Sequence, residues 1–251
     1  MTNDTAILIL AAGKGTRMGS ELPKVLITLN EKPLIQYLLE SLTTTDYRND
    51  IYVVVGYKSG QVIDTLPNNL KFITQAEQLG TGHAVMCARE ALQGVYKNVL
   101  VLYGDMPFVT PETIKNIVNT HNTTQTKLTM ATITVDDFDG WKSGFYDFGR
   151  IIRNEKGAPI KITEKKDASE KELKIKEVNP SYFCFDSDWL WKNIKLIKNE
   201  NSQKEYYLTD LLAQAIKTGS QISTVAIDAR EGIGINTPDQ LAVASSITKK
   251  I

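Results

Sequence analysis

Histidine and cysteine are nearly missing from this chain, with two of each in 251 residues. Cys87 and Cys184 lie far apart and lack the spacing of a zinc site. Both read as free, reduced, packed thiols, Cys87 in a helical pattern and Cys184 in an aromatic strand. His83 has only His121 as a possible partner, and the pattern puts His121 at an exposed helix end, so His83 reads as structural rather than metal-ligating. No Ser/His/Asp or Cys/His nucleophilic set can be assembled. Net charge is absent too: 29 Lys and Arg balance 29 Asp and Glu. No global field draws the chain to nucleic acid, and any anion site must be local. No apolar run approaches the roughly 20 residues that span a bilayer. The opening MTNDTAILIL carries no basic leader and no signal-like cleavage site. The expectation is a cytoplasmic protein with neither nucleic acid nor membrane among its partners.

What is present is alternation. Apolar runs at 7–12, 51–56, 71–75, 98–105 and 127–135 read as buried strands. Helical patterns at 33–42 and 81–92 and a helix opened by Pro111 lie between them. This predicts an α/β fold with a Rossmann-like, mostly parallel sheet and helices on both faces. The tryptophans Trp189 and Trp191 read as core. The stretch 136–149, DDFDGWKSGFYDFG, reads as a long loop or flap, followed by short strands at 150–153 and 159–163. An exposed charged stretch covers 164–172, and one strand covers 177–185. Helices at 187–197 and 207–217, a strand at 221–227 and a last helix from Pro238 complete the pattern. There is no internal repeat or low-complexity tract.

Ligands of such folds sit at the carboxyl ends of the strands, where Gly13, Gln75 and Asp105 fall. After the first strand comes Gly13-Lys14-Gly15-Thr16-Arg17-Met18-Gly19, then Pro23-Lys24. A dinucleotide fingerprint needs a helix starting within the loop, yet the helical pattern begins only near Pro33, and no acidic residue ends the 51–56 run. The Walker pattern fails because Gly19 is followed by Ser20-Glu21. An extended glycine turn remains, with Arg17 able to grip two phosphate oxygens and Lys24 acting as a point charge. The bland alternative is a surface turn with solvated charges. Asp105 can hold Mg²⁺ beside a triphosphate, or merely cap the next turn.

These residues carry a resemblance. LAAGKGTRM followed by LPKVL is similar to the signature of sugar-1-phosphate nucleotidyltransferases. QAEQLGTGHA (75–84), YGDMP (103–107), EYYLTD (205–210) and GINTPDQL (234–241) resemble more specifically the uridylyltransferase domain of N-acetylglucosamine-1-phosphate uridylyltransferases. The resemblance implies one nucleotidyltransferase domain over 1–251, with 1–135 the nucleotide half and 136–251 the sugar-phosphate half and a small sugar-facing lobe. It implies transfer of UMP from UTP to a sugar 1-phosphate with Mg²⁺. Leu10, Ala11, Ala12 and Gly13 would line uracil and ribose, Gln75, Gly80 and Thr81 would read the base, and Tyr103 and Gly104 would complete the nucleotide site. Arg17, Lys24 and Asp105 would be catalytic, with Asp105 and Asn236 holding the metal. Gly149, Glu164, Asn179, Tyr207 and Thr209 would surround the sugar phosphate. Two departures fall on the sugar side: the family's Asn-Thr-Gly is Asn179-Pro180-Ser181, and the loop before Gly149 is longer and more aromatic. No hexapeptide repeat of the left-handed β-helix carried by bifunctional members is present, so acetyl transfer is not expected. Alternatives are a thymidylyl- or cytidylyltransferase, a non-catalytic nucleotide-sugar sensor and a nicotinamide oxidoreductase.

Overall fold

The computed structural model describes residues 4–48 and 50–248; residues 1–3, where part of the leader reading falls, lie outside them. Strand β1 (Thr5–Ala11) leads through β2 (Thr28–Leu29) and β3 (Lys32–Pro33) to α1 (Leu34–Thr43). Then come β4 (Ile51–Val55), α2 (Ser59–Thr65), β5 (Lys71–Thr74), α3 (Thr81–Cys87), α4 (Arg89–Leu92), β6 (Asn98–Tyr103), α5 (Pro111–Thr124) and β7 (Leu128–Thr134). The second half adds β8 (Gly149–Arg153), β9 (Pro159–Thr163), α6 (Glu170–Leu173), β10 (Glu177–Asn179), β11 (Phe183–Asp186), α7 (Ser187–Asn193), α8 (Asp210–Lys217), β12 (Ile222–Ala226) and α9 (Pro238–Thr248).

The main sheet runs β5-β4-β1-β6-β11-β7-β10-β8-β9, with β12 also on β7. The pairs β5–β4, β4–β1, β1–β6 and β12–β7 are parallel. β11 is antiparallel to both β6 and β7, and β8, β9 and β10 form an antiparallel lobe. This is the mixed, mostly parallel α/β sheet that the alternation predicts. β1 is buried along its whole length because successive side chains serve opposite layers. Leu8 and Leu10 join a cluster with Val85, Leu190 and Leu211, whereas Ile7 and Ile9 pack with Ile35, Leu38 and Ile114. In α1 the buried set is Leu34, Ile35, Leu38, Leu39 and Leu42, the face its spacing predicts, with Pro33 as the cap.

Several expectations change. The helix expected over 81–92 is interrupted at Ala88 (φ −83°, ψ −5°), although Ala88 and Leu92 both still reach the core. The strand expected over 177–185 divides into β10 and β11, because Pro180 has no N–H to give and Ser181 takes a left-handed φ of 64°. His121 is buried rather than exposed; its Nδ1 lies 3.0 Å from the Thr129 hydroxyl of β7. Burial pulls its pKa down to about 4. The 136–149 stretch is not a free flap. It contains a 3₁₀ segment, Gly140–Asp147, whose Phe145 is buried in a third cluster with Leu29, Ile133 and Ile235. Arg150 locks it: the fully buried guanidinium donates to the carbonyls of Tyr146 and Phe148. Its Cζ also lies 4.9 Å and 5.2 Å from the ring centres of Phe138 and Tyr146. Both cysteines are free, and both tryptophans of α7 are buried. Among the described residues no helix is long and apolar enough to cross a membrane.

Candidate active site

The glycine turn is held from both ends. Gly15 (φ 67°) and Gly19 (φ 62°) flank a 3₁₀ turn, Thr16–Met18, whose Met18 is buried while its neighbours stay exposed. Pro23 then starts a second 3₁₀ turn, Lys24–Leu26, in which buried Val25 and Leu26 anchor the backbone. That anchorage aims Lys24 inward. Its Nζ meets the Asp105 carboxylate and the Asn236 side-chain oxygen, and the Lys24 and Asp105 side chains are only 15% and 14% exposed. Asp105 sits two residues past β6. Its carbonyl accepts from the Ile235 N–H at 3.0 Å, which brings Asn236 alongside. Gln240 Oε1 accepts from the Asn236 N–H at 2.7 Å and steadies that residue from α9. The Lys24 ammonium thus meets a residue 212 positions away in sequence.

Above this floor is a cavity of about 320 Å³. It is lined by Leu10, Ala11, Ala12, Gly13, Lys24, Gln75, Gly80, Thr81, Tyr103, Asp105 and Asn236. Ten of the predicted positions therefore meet Asn236 around one space. A Cβ built on Gly13 meets nothing within 4 Å, so the turn leaves open room there. Gly80, at φ 106°, permits the close approach of Tyr206, whose carbonyl would lie 2.7 Å from any Cβ. Gly104 does not line the cavity; it packs where a Cβ would strike Val25 at 2.9 Å. Arg17 does not line it either and stands exposed on the turn. Val25, Gln78, Ala84 and Glu205 line the cavity without having been predicted. All four lie inside the motifs that carry the resemblance, so their positions carried a signal that their residue types alone did not.

The sugar-side candidates gather next to it. Asn179 pairs with Gly149 across β10 and β8, and a Cβ on Gly149 would sit 3.5 Å from the Glu164 carboxylate. Thr209 donates to Glu164 at 2.9 Å. Burial pushes the Glu164 carboxyl up, with Asp210 and Asp167 adding to it and the Thr209 hydroxyl opposing. Glu164, Tyr207 and Thr209 line a second cavity of about 330 Å³, and the Tyr207 hydroxyl accepts from Gln203. Asn179 is already engaged: its Nδ2 donates to Ser181 Oγ (3.2 Å) and its Oδ1 accepts from the Ser181 N–H (2.9 Å). Tyr103 stands between the two groups. Burial raises its phenol first of all, the Glu164 and Asp105 carboxylates add to that, and the Thr81 and Ser181 hydroxyls oppose it.

The chain that carries this glycine turn, inward lysine and strand-end carboxylate has known relatives. Residues 7–142 match the MobA-like NTP transferase domain. The chain belongs to the MobA-like NTP transferase family. It is 38% identical over 244 residues to bifunctional protein GlmU of Clostridium acetobutylicum, which covers 97% of this chain and 52% of that protein. It is 40% identical over 244 residues to bifunctional protein GlmU of Exiguobacterium sibiricum, covering 97% of this chain and 53% of the relative. The chain thus spans about half the length of the curated relatives it matches. A crystal structure of a Bacillus anthracis protein assigned as a glucose-1-phosphate thymidylyltransferase, in complex with a sucrose, superposes with a TM-score of 0.77 at 21% identity. The match covers 98% of this chain and 96% of that one; at that identity the likeness is one of fold. Membership of this nucleotidyltransferase family agrees with the resemblance carried by the glycine turn and the downstream motifs.

Proposed function

We infer that the protein transfers UMP from UTP to a sugar 1-phosphate, with N-acetylglucosamine 1-phosphate as the first candidate. A sugar-phosphate oxygen bonds to the α-phosphorus of UTP, the bond from that phosphorus to the bridging oxygen breaks, and pyrophosphate leaves. The observation that carries this inference is the convergence of Lys24, Asp105 and Asn236 on the floor of a cavity walled by the open glycine turn. The attacking oxygen is anionic at neutral pH, so no general base is needed. The obstacle is repulsion between two polyanions. Lys24 answers it from the floor and Arg17 from the exposed turn, orienting the triphosphate and offsetting charge that develops on the leaving group.

Mg²⁺ suits the donor set. The Asp105 and Asn236 oxygens are hard ligands that already meet at one cationic atom. Among the described residues no group of three or more His, Cys, Asp or Glu side chains could cage a metal alone. Two protein oxygens leave the other positions to phosphates and water, the habit of Mg²⁺ in triphosphate sites. When bound, the ion would supply further screening of phosphate charge. Support for uridine comes from the 75–84 motif, and support for the acceptor from the similarity to GlmU over half its length. Another sugar 1-phosphate is the second reading, favoured by one observation: the Asn179 amide is taken up by Ser181.

The test is a pyrophosphate-release screen with Mg²⁺, each nucleoside triphosphate, and the 1-phosphates of N-acetylglucosamine, glucose, galactose and N-acetylmuramic acid. UTP with N-acetylglucosamine 1-phosphate is the expected productive pair. Asp105→Ala and Arg17→Ala should each lower turnover by about 10²–10³ with the fold retained. Near wild-type release from either variant sinks the assignment, and an inert N-acetylglucosamine 1-phosphate beside a reactive second sugar selects the other acceptor.

A further inference from the structure

Resting on the uridylyl-transfer reading above, we propose that His83 is a positioning residue. It holds the Gln75 carboxamide with its carbonyl oxygen free for the nucleotide, so that the site admits a pyrimidine with an imide N–H and disfavours cytosine. The backbone of Gln75 is fixed first: its N–H donates to the Val55 carbonyl at 2.7 Å, and its own carbonyl accepts from Gln78 Nε2 at 3.1 Å. The side chain is then held twice through the same nitrogen. Nε2 lies 3.2 Å from the Gly80 carbonyl and 3.1 Å from His83 Nδ1.

A backbone carbonyl can only accept, so the amide must turn its NH₂ group toward Gly80. Both amide protons are then committed, one to Gly80 and one to His83. It follows that His83 Nδ1 carries the lone pair and Nε2 the proton, with Nε2 facing the weakly accepting Cys87 sulfur at 4.0 Å. The remaining atom, Gln75 Oε1, has no protein partner among the described residues and is not sealed from solvent. Gln75 is 3% exposed overall and lines the nucleotide cavity. What this side chain can still offer is an acceptor.

An acceptor suits the N3–H of a uracil-type imide and opposes the unprotonated N3 of cytosine. Rotating the amide to suit cytosine would set Oε1 against the Gly80 carbonyl, which can only accept, and would require His83 to move its proton from Nε2 to Nδ1. With two anchors in place, discrimination of about a hundredfold is expected; losing one should cut it about tenfold. Asparagine at position 83 can put an acceptor oxygen near the place of Nδ1, whereas alanine cannot.

The test is equilibrium binding of UTP and of CTP, with Mg²⁺ and no sugar phosphate, to the wild-type chain, His83→Ala and His83→Asn. The wild-type chain should favour UTP by about a hundredfold, His83→Ala by about tenfold, and His83→Asn should stay within about threefold of the wild-type ratio. An unchanged ratio in His83→Ala overturns the proposal, as does equal wild-type affinity for the two nucleotides or binding of neither. The ratio itself is the readout because loss of general structure weakens both ligands together. A chain that sorts UTP from CTP but releases no pyrophosphate supports this proposal while removing uridylyl transfer.

Discussion

Gly15 and Gly19 flank the same 3₁₀ turn at nearly the same left-handed angle, φ 67° and 62°, yet alanine should affect them differently. The backbone cost is shared: an L-residue in this region costs about 1–2 kcal/mol. The surroundings are not shared. A Cβ on Gly19 meets nothing within 4 Å, whereas one on Gly15 lies 2.7 Å from Lys24 Cβ and 3.0 Å from its Cγ. Rotation about χ1 cannot move Lys24 Cβ, and the buried Val25 and Leu26 pin that backbone. The turn or the lysine must therefore shift by several tenths of an ångström, and the ammonium leaves its seat against Asp105 and Asn236. Misplacement of a charge-positioning group by about an ångström can cost on the order of 10²-fold in rate. Urea unfolding should show Gly19→Ala about 1–2 kcal/mol less stable and Gly15→Ala less stable still, because only the latter adds the clash with Lys24. Pyrophosphate release should stay within about threefold of wild type in Gly19→Ala and fall about 10²-fold in Gly15→Ala. Equal activity in the two variants would refute the claim that Gly15 is needed to make room for Lys24.

Two further outcomes test features away from the cavity. His121 has a pKa lowered to about 4 by burial, so the unfolded chain binds the proton more readily. Its neutral form contributes stability that is fully present above about pH 6.5 and is lost as pH falls toward 4, by about 3 kcal/mol in all. Thermal unfolding across that window should flatten in His121→Gln, and an unchanged slope would contradict the assignment. Arg150→Met should cost about 2 kcal/mol in urea unfolding, because the Tyr146 and Phe148 carbonyls lose their charged donor while relief of a buried charge offsets part of that loss; a more stable variant would show that burial outweighs those bonds.

The nucleotide half was legible because two signals coincided there. Strands buried on both faces leave unbroken apolar runs, and the residues just past their ends, Gly13, Gln75 and Asp105, stand out against those runs. Helix α2 was not legible: only Val62 of its seven residues is buried, so no apolar period exists to read. His121 misled because its partner, Thr129, comes from the strand after the helix, and a polar residue at a helix end looks solvated until that strand is in place. The 136–149 stretch lacks periodicity since it is held by aromatic packing and one buried arginine rather than by regular backbone pairing. Arg17 and Lys24 both read as phosphate-holding cations near a glycine turn. Only the anchoring of Val25 and Leu26 separates the inward lysine from the exposed arginine.

The placement of β11 has a consequence for how the chain is made. β6 and β7 follow one another in sequence, joined by α5, yet they are not neighbours; the slot between them is filled by residues 183–186. A chain emerging from the ribosome must therefore carry facing edges of β6 and β7 unpaired until some fifty further residues have been added. Open strand edges of that kind invite intermolecular pairing. The segment that matches the family, 7–142, ends before the strand that closes this gap. Cutting the protein at that boundary would leave a sheet with its centre missing.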